Sequence, residues 1–297
     1  MLKYGGMVEP GEELAYEENL VTNFVEETRL NGNPVHYSRA LAMQSEFYSR
    51  QGKYENALLY HELLKKVYNV DRHSALVVEA YASDRSAQNY GSSANCLYRL
   101  GRVEEALKLC DLILDDIMPR MDLKNVHNSM IMIYPLIWIL KNEILPKKAA
   151  LILERFVFEP FRLHFGTEGK TFSLVMFKPL KALFDILIYL EGDVDVLDET
   201  LIPYALEDDS LIISTTVDNS FANFARCGSS IGAEVCLLLS DQTNHLCIRK
   251  RLIKKGWKLA EKAMKTATTC GDHQTTYKET QPVYDKLARL VDSVGLL

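Results

Sequence analysis

Apolar residues recur every three or four positions along most of this chain, and no stretch keeps the strict alternation of a half-buried strand. The pattern predicts an all-α protein. A first helix is expected over residues 12–30, closed by the turn signal Asn31-Gly32-Asn33-Pro34. Residues 74–100 read as one long helix or as two broken near Ser83-Asp84. Farther along, helices are expected over residues 172–191, with Pro179 near the first turn or at a kink, over 195–206, and over 221–239 behind an Asp218 cap. Residues 246–270 form a long amphipathic helix. The last helix, over 280–291, would hold Pro282 in its first turn. Residues 211–217 (LIISTTV) are the single strand-like run and read as an extended connection.

Two short phrases break the pattern at corresponding places, Gly52-Lys-Tyr-Glu-Asn-Ala-Leu and Gly101-Arg-Val-Glu-Glu-Ala-Leu. A Gly that ends one helix in the left-handed conformation, an apolar residue two places on, and a small Ala five places on describe a helical hairpin. The Ala is small because the two helices come close there. Leu41, Tyr48 and Ala57 belong to the first hairpin. Tyr90, Ala94, Leu97 and Ala106 belong to the second. A degraded third copy has Leu140, Leu145 and Ala149, with Ile144 in place of the Gly.

These positions resemble the tetratricopeptide repeat, over roughly residues 36–160. The Ala-to-Ala spacings of 49 and 43 are longer than usual, as in the elongated repeats of kinesin light chains. The wording of residues 36–41, 52–55, 83–91 and 124–129 also resembles the helical tails of algal signalling proteins that carry an ATPase-type module. The first resemblance implies a right-handed α-solenoid with a degenerate helical C-terminal half. It divides the chain into an acidic segment 1–34, repeats over 35–165, and a helical-repeat continuation over 166–297. The second implies a regulatory or oligomerising tail as the alternative to a free-standing scaffold.

The tetratricopeptide pattern also implies which residues line the concave groove. They are Arg39, Ala42, Glu46 and Ser49 with Arg50 beside them, then Gln88, Gly91, Asn95 and Tyr98 with Arg99 beside them, then Ile131, Tyr134, Trp138 and Lys141. Such a mixture of Arg, amides and aromatics suits a peptide backbone and a carboxylate, so the expected partner is a protein or peptide.

Charge adds a second candidate surface. Arg251, Lys254, Lys255, Lys258, Lys262 and Lys265 fall within an arc of about 100° on the 246–270 helix, opposite Leu252, Ile253, Leu259 and Ala263. This stripe would suit an acidic partner, anionic lipid, or the acidic loop 191–209 of the same chain, which includes Asp193, Asp195, Asp198 and Glu199. The whole chain carries a net charge of -6, which argues against nucleic acid as its main ligand.

Catalytic and cofactor signals are weak. Gly166-Thr-Glu-Gly169-Lys170-Thr171 has two residues between its glycines where a phosphate loop needs four. Cys270 and His273 offer two metal ligands where a structural zinc takes four. No cofactor, metal or catalytic residue is expected. The six cysteines, Cys96, Cys110, Cys227, Cys236, Cys247 and Cys270, read as buried thiols of a reducing compartment. An acidic first 28 residues and no apolar run of about 20 make a cytoplasmic chain without a transmembrane segment the expectation.

Overall fold

A computed structural model describes residues 10–120, 126–143, 145–159, 172–192, 197–198, 200–206, 222–269 and 275–294. Among the described residues there is no strand, and the class is all-α. No described helix is long and apolar enough to cross a membrane. The chain forms two compact units, Met1–Ile144 and Leu145–Leu297.

The first unit opens with α1 (Pro10–Asn31), which lies on α2 (Pro34–Arg50) through a narrow strip that includes Val21 and Thr28. Asn33 caps α2, its side chain accepting from the Val35 amide at 2.9 Å. Helix α3 (Tyr54–Val67) folds back on α2. The turn between them is built on Gly52 at φ +73°, where the Gly52 amide donates to the Ser49 carbonyl and the Lys53 amide to that of Tyr48. The same arrangement returns between α5 (Arg85–Arg99) and α6 (Val103–Leu112). Gly101 sits at φ +75°, its amide donating to Tyr98, while the Arg102 amide donates to Leu97. Both are glycine-closed helix ends in which the orphan carbonyls of the last turn find backbone partners. Ala57 and Ala106 are each fully buried. At Ala57 the closeness is visible, because Ser45 Oγ on α2 donates to its carbonyl at 2.9 Å.

Helix α4 (Val70–Tyr81) stands between the two hairpins. It ends on Ala82 in the left-handed conformation, φ 58°, and Asp84 caps α5 by accepting from the Ala87 amide at 2.9 Å. The stretch 74–100 is therefore two helices. Beyond α6 the chain continues through a π-helical turn, Ile113–Ile117, into Met118–Arg120, and α7 (Val126–Asn142) then covers α5. Packed by α2, α3, α6 and α7, α5 is the centre of the unit. Its small and polar residues make that possible. Ser86, Ala87, Asn89, Gly91, Ser93 and Ala94 are all buried.

The second unit contains α8 (Pro146–Leu153), followed by a π-helical turn Glu154–Phe158, then α9 (Phe172–Leu190) and the short α10 (Leu201–Leu206). Its C-terminal part is three long helices, α11 (Ala222–Gln242), α12 (Leu246–Thr269) and α13 (Thr275–Ser293), packed on one another. A Cβ placed on Gly256 of α12 would stand 3.0 Å from Cys236 Cβ on α11 and 3.3 Å from Leu287 on α13, so glycine sets how closely the three approach. Helix α13 begins at Thr275, which puts Pro282 inside the helix instead of in its first turn. Pro179 likewise lies inside α9, well past its first turn. Asp218, the 166–171 loop and the run 211–217 lie outside the described residues. The two helices expected to form a third repeat copy, α7 and α8, fall in different units.

Candidate functional site

A concavity in the first unit opens between α3 and α6, with a volume of about 460 Å³. Glu55, Leu58, Leu59, Glu62 and Lys65 follow one another at helical spacing on one face of α3 and make one wall. Arg102, Glu105, Lys108, Leu109 and Leu112 make the other, and Leu97 of α5 lies at the floor. Leu59 is 65% exposed and Leu112 43% exposed, so the walls present apolar surface to solvent. At one end Arg102 forms a paired contact with Glu105, both bonds 2.7 Å, and lies 3.9 Å from Glu55 across the cleft. Along the α3 wall, Lys65 is held by Glu62 at 3.0 Å. Lys108 is exposed and makes no ion pair with a described residue.

His61 reaches the cleft from below and is 3% exposed. Its Nδ1 donates to Asn89 Oδ1 at 2.8 Å, and its ring meets Tyr90 edge-on at 4.9 Å. Burial pushes the imidazole pKa down to about 4 against the opposing pull of Asn89. The ring is neutral at physiological pH and a weak base. Near it, Tyr68 donates to the buried Asp84 at 2.6 Å, and burial beside that carboxylate raises the phenol well above its usual range.

The residues expected in a groove on α2, α5 and α7 are largely engaged with neighbouring side chains. Arg39 lies over the Tyr81 ring at 5.2 Å and donates to Ser83, and burial lowers its pKa. Glu46 receives both its bonds from Arg85, at 2.9 and 2.7 Å, tying α2 to α5. Arg50 pairs with Glu17 of α1. Tyr98 donates to Glu143 at 2.8 Å beyond α7, and burial raises its pKa to about 12. Lys141 lies over the Trp138 ring at 5.0 Å. Asn95 and Arg99 are half-buried.

Gln88, Ala42 and Gly91 correct the expectation, because they are buried between helices and line no open groove. A Cβ on Gly91 would stand 2.5 Å from the Met132 carbonyl oxygen, so this glycine marks where α7 crosses α5. Trp138 is likewise buried, at 7% exposure. The side chains of Ile131 and Tyr134 lie outside the described set.

No family model, curated protein or solved structure matches this chain. What it can do must be read from its own surfaces.

The second candidate surface is on α12. Arg251, Lys254, Lys258 and Lys265 are exposed, and Lys255 and Lys262 are half-buried at its flanks. Leu252, Ile253, Leu259, Ala260 and Ala263 are buried. Trp257 stacks on Tyr284 of α13 with ring centroids 4.6 Å apart, which anchors the helix. Cys247 corrects the expectation of uniformly buried thiols. It is exposed at the start of α12, whereas Cys96, Cys110 and Cys236 are buried. One helical turn before Arg251, Cys247 falls on the wet side of the helix. The side chain of Cys227, together with Cys270, His273 and, from the acidic loop 191–209, Asp193, Asp195 and Glu199, lies outside the described residues.

Sequence reasoning missed the α3–α6 cleft, the His61–Asn89 contact and the Arg85–Glu46 bridge. One signal was present. Leu58, Leu59, Glu62 and Lys65 break the polar outer face of a hairpin helix with leucines, which is unusual for a side meant only for water.

Proposed function

We propose that this chain is a non-catalytic interaction scaffold, tetratricopeptide-like in its first unit, that seats a polypeptide segment in the cleft between α3 and α6. The single observation that carries this reading is the pairing of exposed leucines, Leu59 and Leu112, with an exposed Lys108 that has no ion-pair partner among the described residues, all on the walls of one 460 Å³ cleft. Exposed leucines lining a concave site are a recurrent mark of a docking groove, where an apolar anchor supplies most of the energy. The other described lining cations, Lys65 and Arg102, already hold Glu62 and Glu105. Lys108 feels Glu105 through space but makes no ion pair with it, and is free to meet a further carboxylate. The segment it selects therefore carries a large apolar residue next to an acidic one. His61 is neutral and weakly basic, and its ring nitrogen bonds an amide, Asn89, instead of a nucleophile, which supports a binding site over a catalytic one.

The repeat reading rests on the two hairpins with their matched turns at Gly52 and Gly101 and matched seats at Ala57 and Ala106. The residues of the α2–α5 face support a structural part for that surface, because Glu46, Arg85, Tyr98 and Glu143 join one helix to the next.

Selection from a random peptide library against the intact chain tests the reading. Peptides with an apolar-acidic core are expected. Their affinity should fall at least tenfold against a Leu59→Glu/Leu112→Glu variant, and should hold against Arg39→Ala/Arg50→Ala/Arg99→Ala. Both sets of changes are at exposed or half-exposed positions, and circular dichroism checks that each variant stays folded. Peptides that keep their affinity for the leucine variant and lose it with the arginine variant would return the site to the α2–α5 face.

A further inference from the structure

Helix α12 concentrates charge in a way the rest of the chain does not. Eight of the chain's 34 Lys and Arg residues lie within its 24 residues, with Glu261 as the one acid. Arg251, Lys254 and Lys258 point into solvent with no partner among the described residues, and Lys265 continues the row. At 1.5 Å per residue the row from Arg251 to Lys265 runs about 21 Å along the helix.

We infer that this row is a docking face for an anionic lipid bilayer, which the protein meets peripherally and by charge. Three features favour a bilayer over another polyanion. First, the row is mostly Lys. An ammonium is a compact point charge suited to a diffuse field of anions, whereas recognition of individual carboxylates favours the planar fork of Arg. Clusters of this size on a helix are what anionic headgroups attract. Second, the aromatic that could stack on a nucleic-acid base is turned away, since Trp257 lies on Tyr284. Third, the rest of the chain is acidic, as its net charge of -6 requires once this helix is set aside. That acidic remainder repels a free, flexible polyanion.

The contact is a surface one. The apolar side of α12 is committed to α11 and α13 through Leu252, Ile253, Leu259 and Ala263, so the helix does not roll over and insert. At its N-terminal end Leu246 is 61% exposed and is the one large apolar side chain of α12 open to solvent among the described residues. At 100° per residue it lies about 110° around the helix from the middle of the basic row, so it adds nothing to that face. Binding should weaken steeply with salt, because exposed charges are screened over about 8 Å at physiological ionic strength.

Cosedimentation of the full chain with vesicles tests this. With vesicles of phosphatidylcholine that carry phosphatidylserine as the minor, anionic lipid, a bound fraction is expected at low salt that drops at least fivefold at 0.5 M NaCl. It should be lost on pure phosphatidylcholine. Arg251→Glu/Lys254→Glu/Lys258→Glu should abolish binding, and Lys254→Arg/Lys258→Arg should retain it. Duplex DNA and polyglutamate at equal charge concentration serve as competitors. No vesicle binding, binding unchanged by charge reversal, or complete displacement by polyglutamate or DNA at equimolar charge would each overturn the proposal.

Discussion

The α-carbon of Gly91 faces the backbone carbonyl of Met132 so closely that a Cβ there would stand 2.5 Å from the oxygen. Backbone cannot yield as a flexible side chain can. Gly91→Ala gains up to about 1 kcal/mol of helix propensity and must push α7 away from α5. The expected net effect is a loss of about 1–3 kcal/mol, as for overpacking elsewhere. Urea unfolding of the two proteins measures it, and an unchanged or higher midpoint would mean the helices are farther apart than described.

Gly52 and Gly101 have nothing within 4 Å of an added Cβ, so Ala there costs only backbone strain. Each substitution should destabilise by about 1–2 kcal/mol, the cost of a left-handed non-glycine residue. Because the two turns share their hydrogen-bond pattern, the two costs should agree closely. Thermal melts of Gly52→Ala and Gly101→Ala provide the comparison.

His61 makes a pH prediction with a definite sign. Its folded pKa, about 4, lies below the unfolded value near 6.5, so the unfolded chain binds the extra proton first. Its contribution is fully present above pH 6.5 and is lost as pH falls toward 4. The whole effect is of the order of 3 kcal/mol. Unfolding free energies of the wild type and His61→Gln, compared between pH 7 and pH 4.5, should converge as pH falls. A constant difference would mean the ring titrates normally.

Thiol chemistry follows burial. Burial pushes the Cys96 pKa up to about 11 and that of Cys236 to about 12, while Cys247 is open to solvent. Peptide-resolved alkylation of the native protein at pH 7.5 should modify Cys247 many times faster than either of the other two. Equal rates would contradict the placement of α12.

Much of the fold was legible because it depends on local rules. Gly52 and Gly101 end helices wherever they stand, and Asn33 caps α2 from its position just before Pro34. The break near Ser83-Asp84 was one of two readings of residues 74–100, and the Asp84 cap decides between them. The site was less so. Gln88 and Gly91 occupy positions the repeat pattern assigns to a groove, yet α7 lies over them, and nothing local to residues 85–99 announces that crossing. The α3–α6 cleft depends on Leu59 and Leu112, far apart in the sequence, facing the same space. Periodicity shows that each is on an outer face and is silent on what the two faces enclose. The periodicity of the basic row on α12 was readable, because one helix suffices to display it, but the half-burial of Lys255 and Lys262 was not.

The claim on which the functional reading stands is that a polypeptide lies between α3 and α6. Hydrogen exchange of the intact chain with and without a selected apolar-acidic peptide locates it directly. Slower exchange is expected in Tyr54–Val67 and Val103–Leu112, with Pro34–Arg50 unchanged. Protection over Pro34–Arg50 and Arg85–Arg99, with none in the two cleft helices, would contradict it.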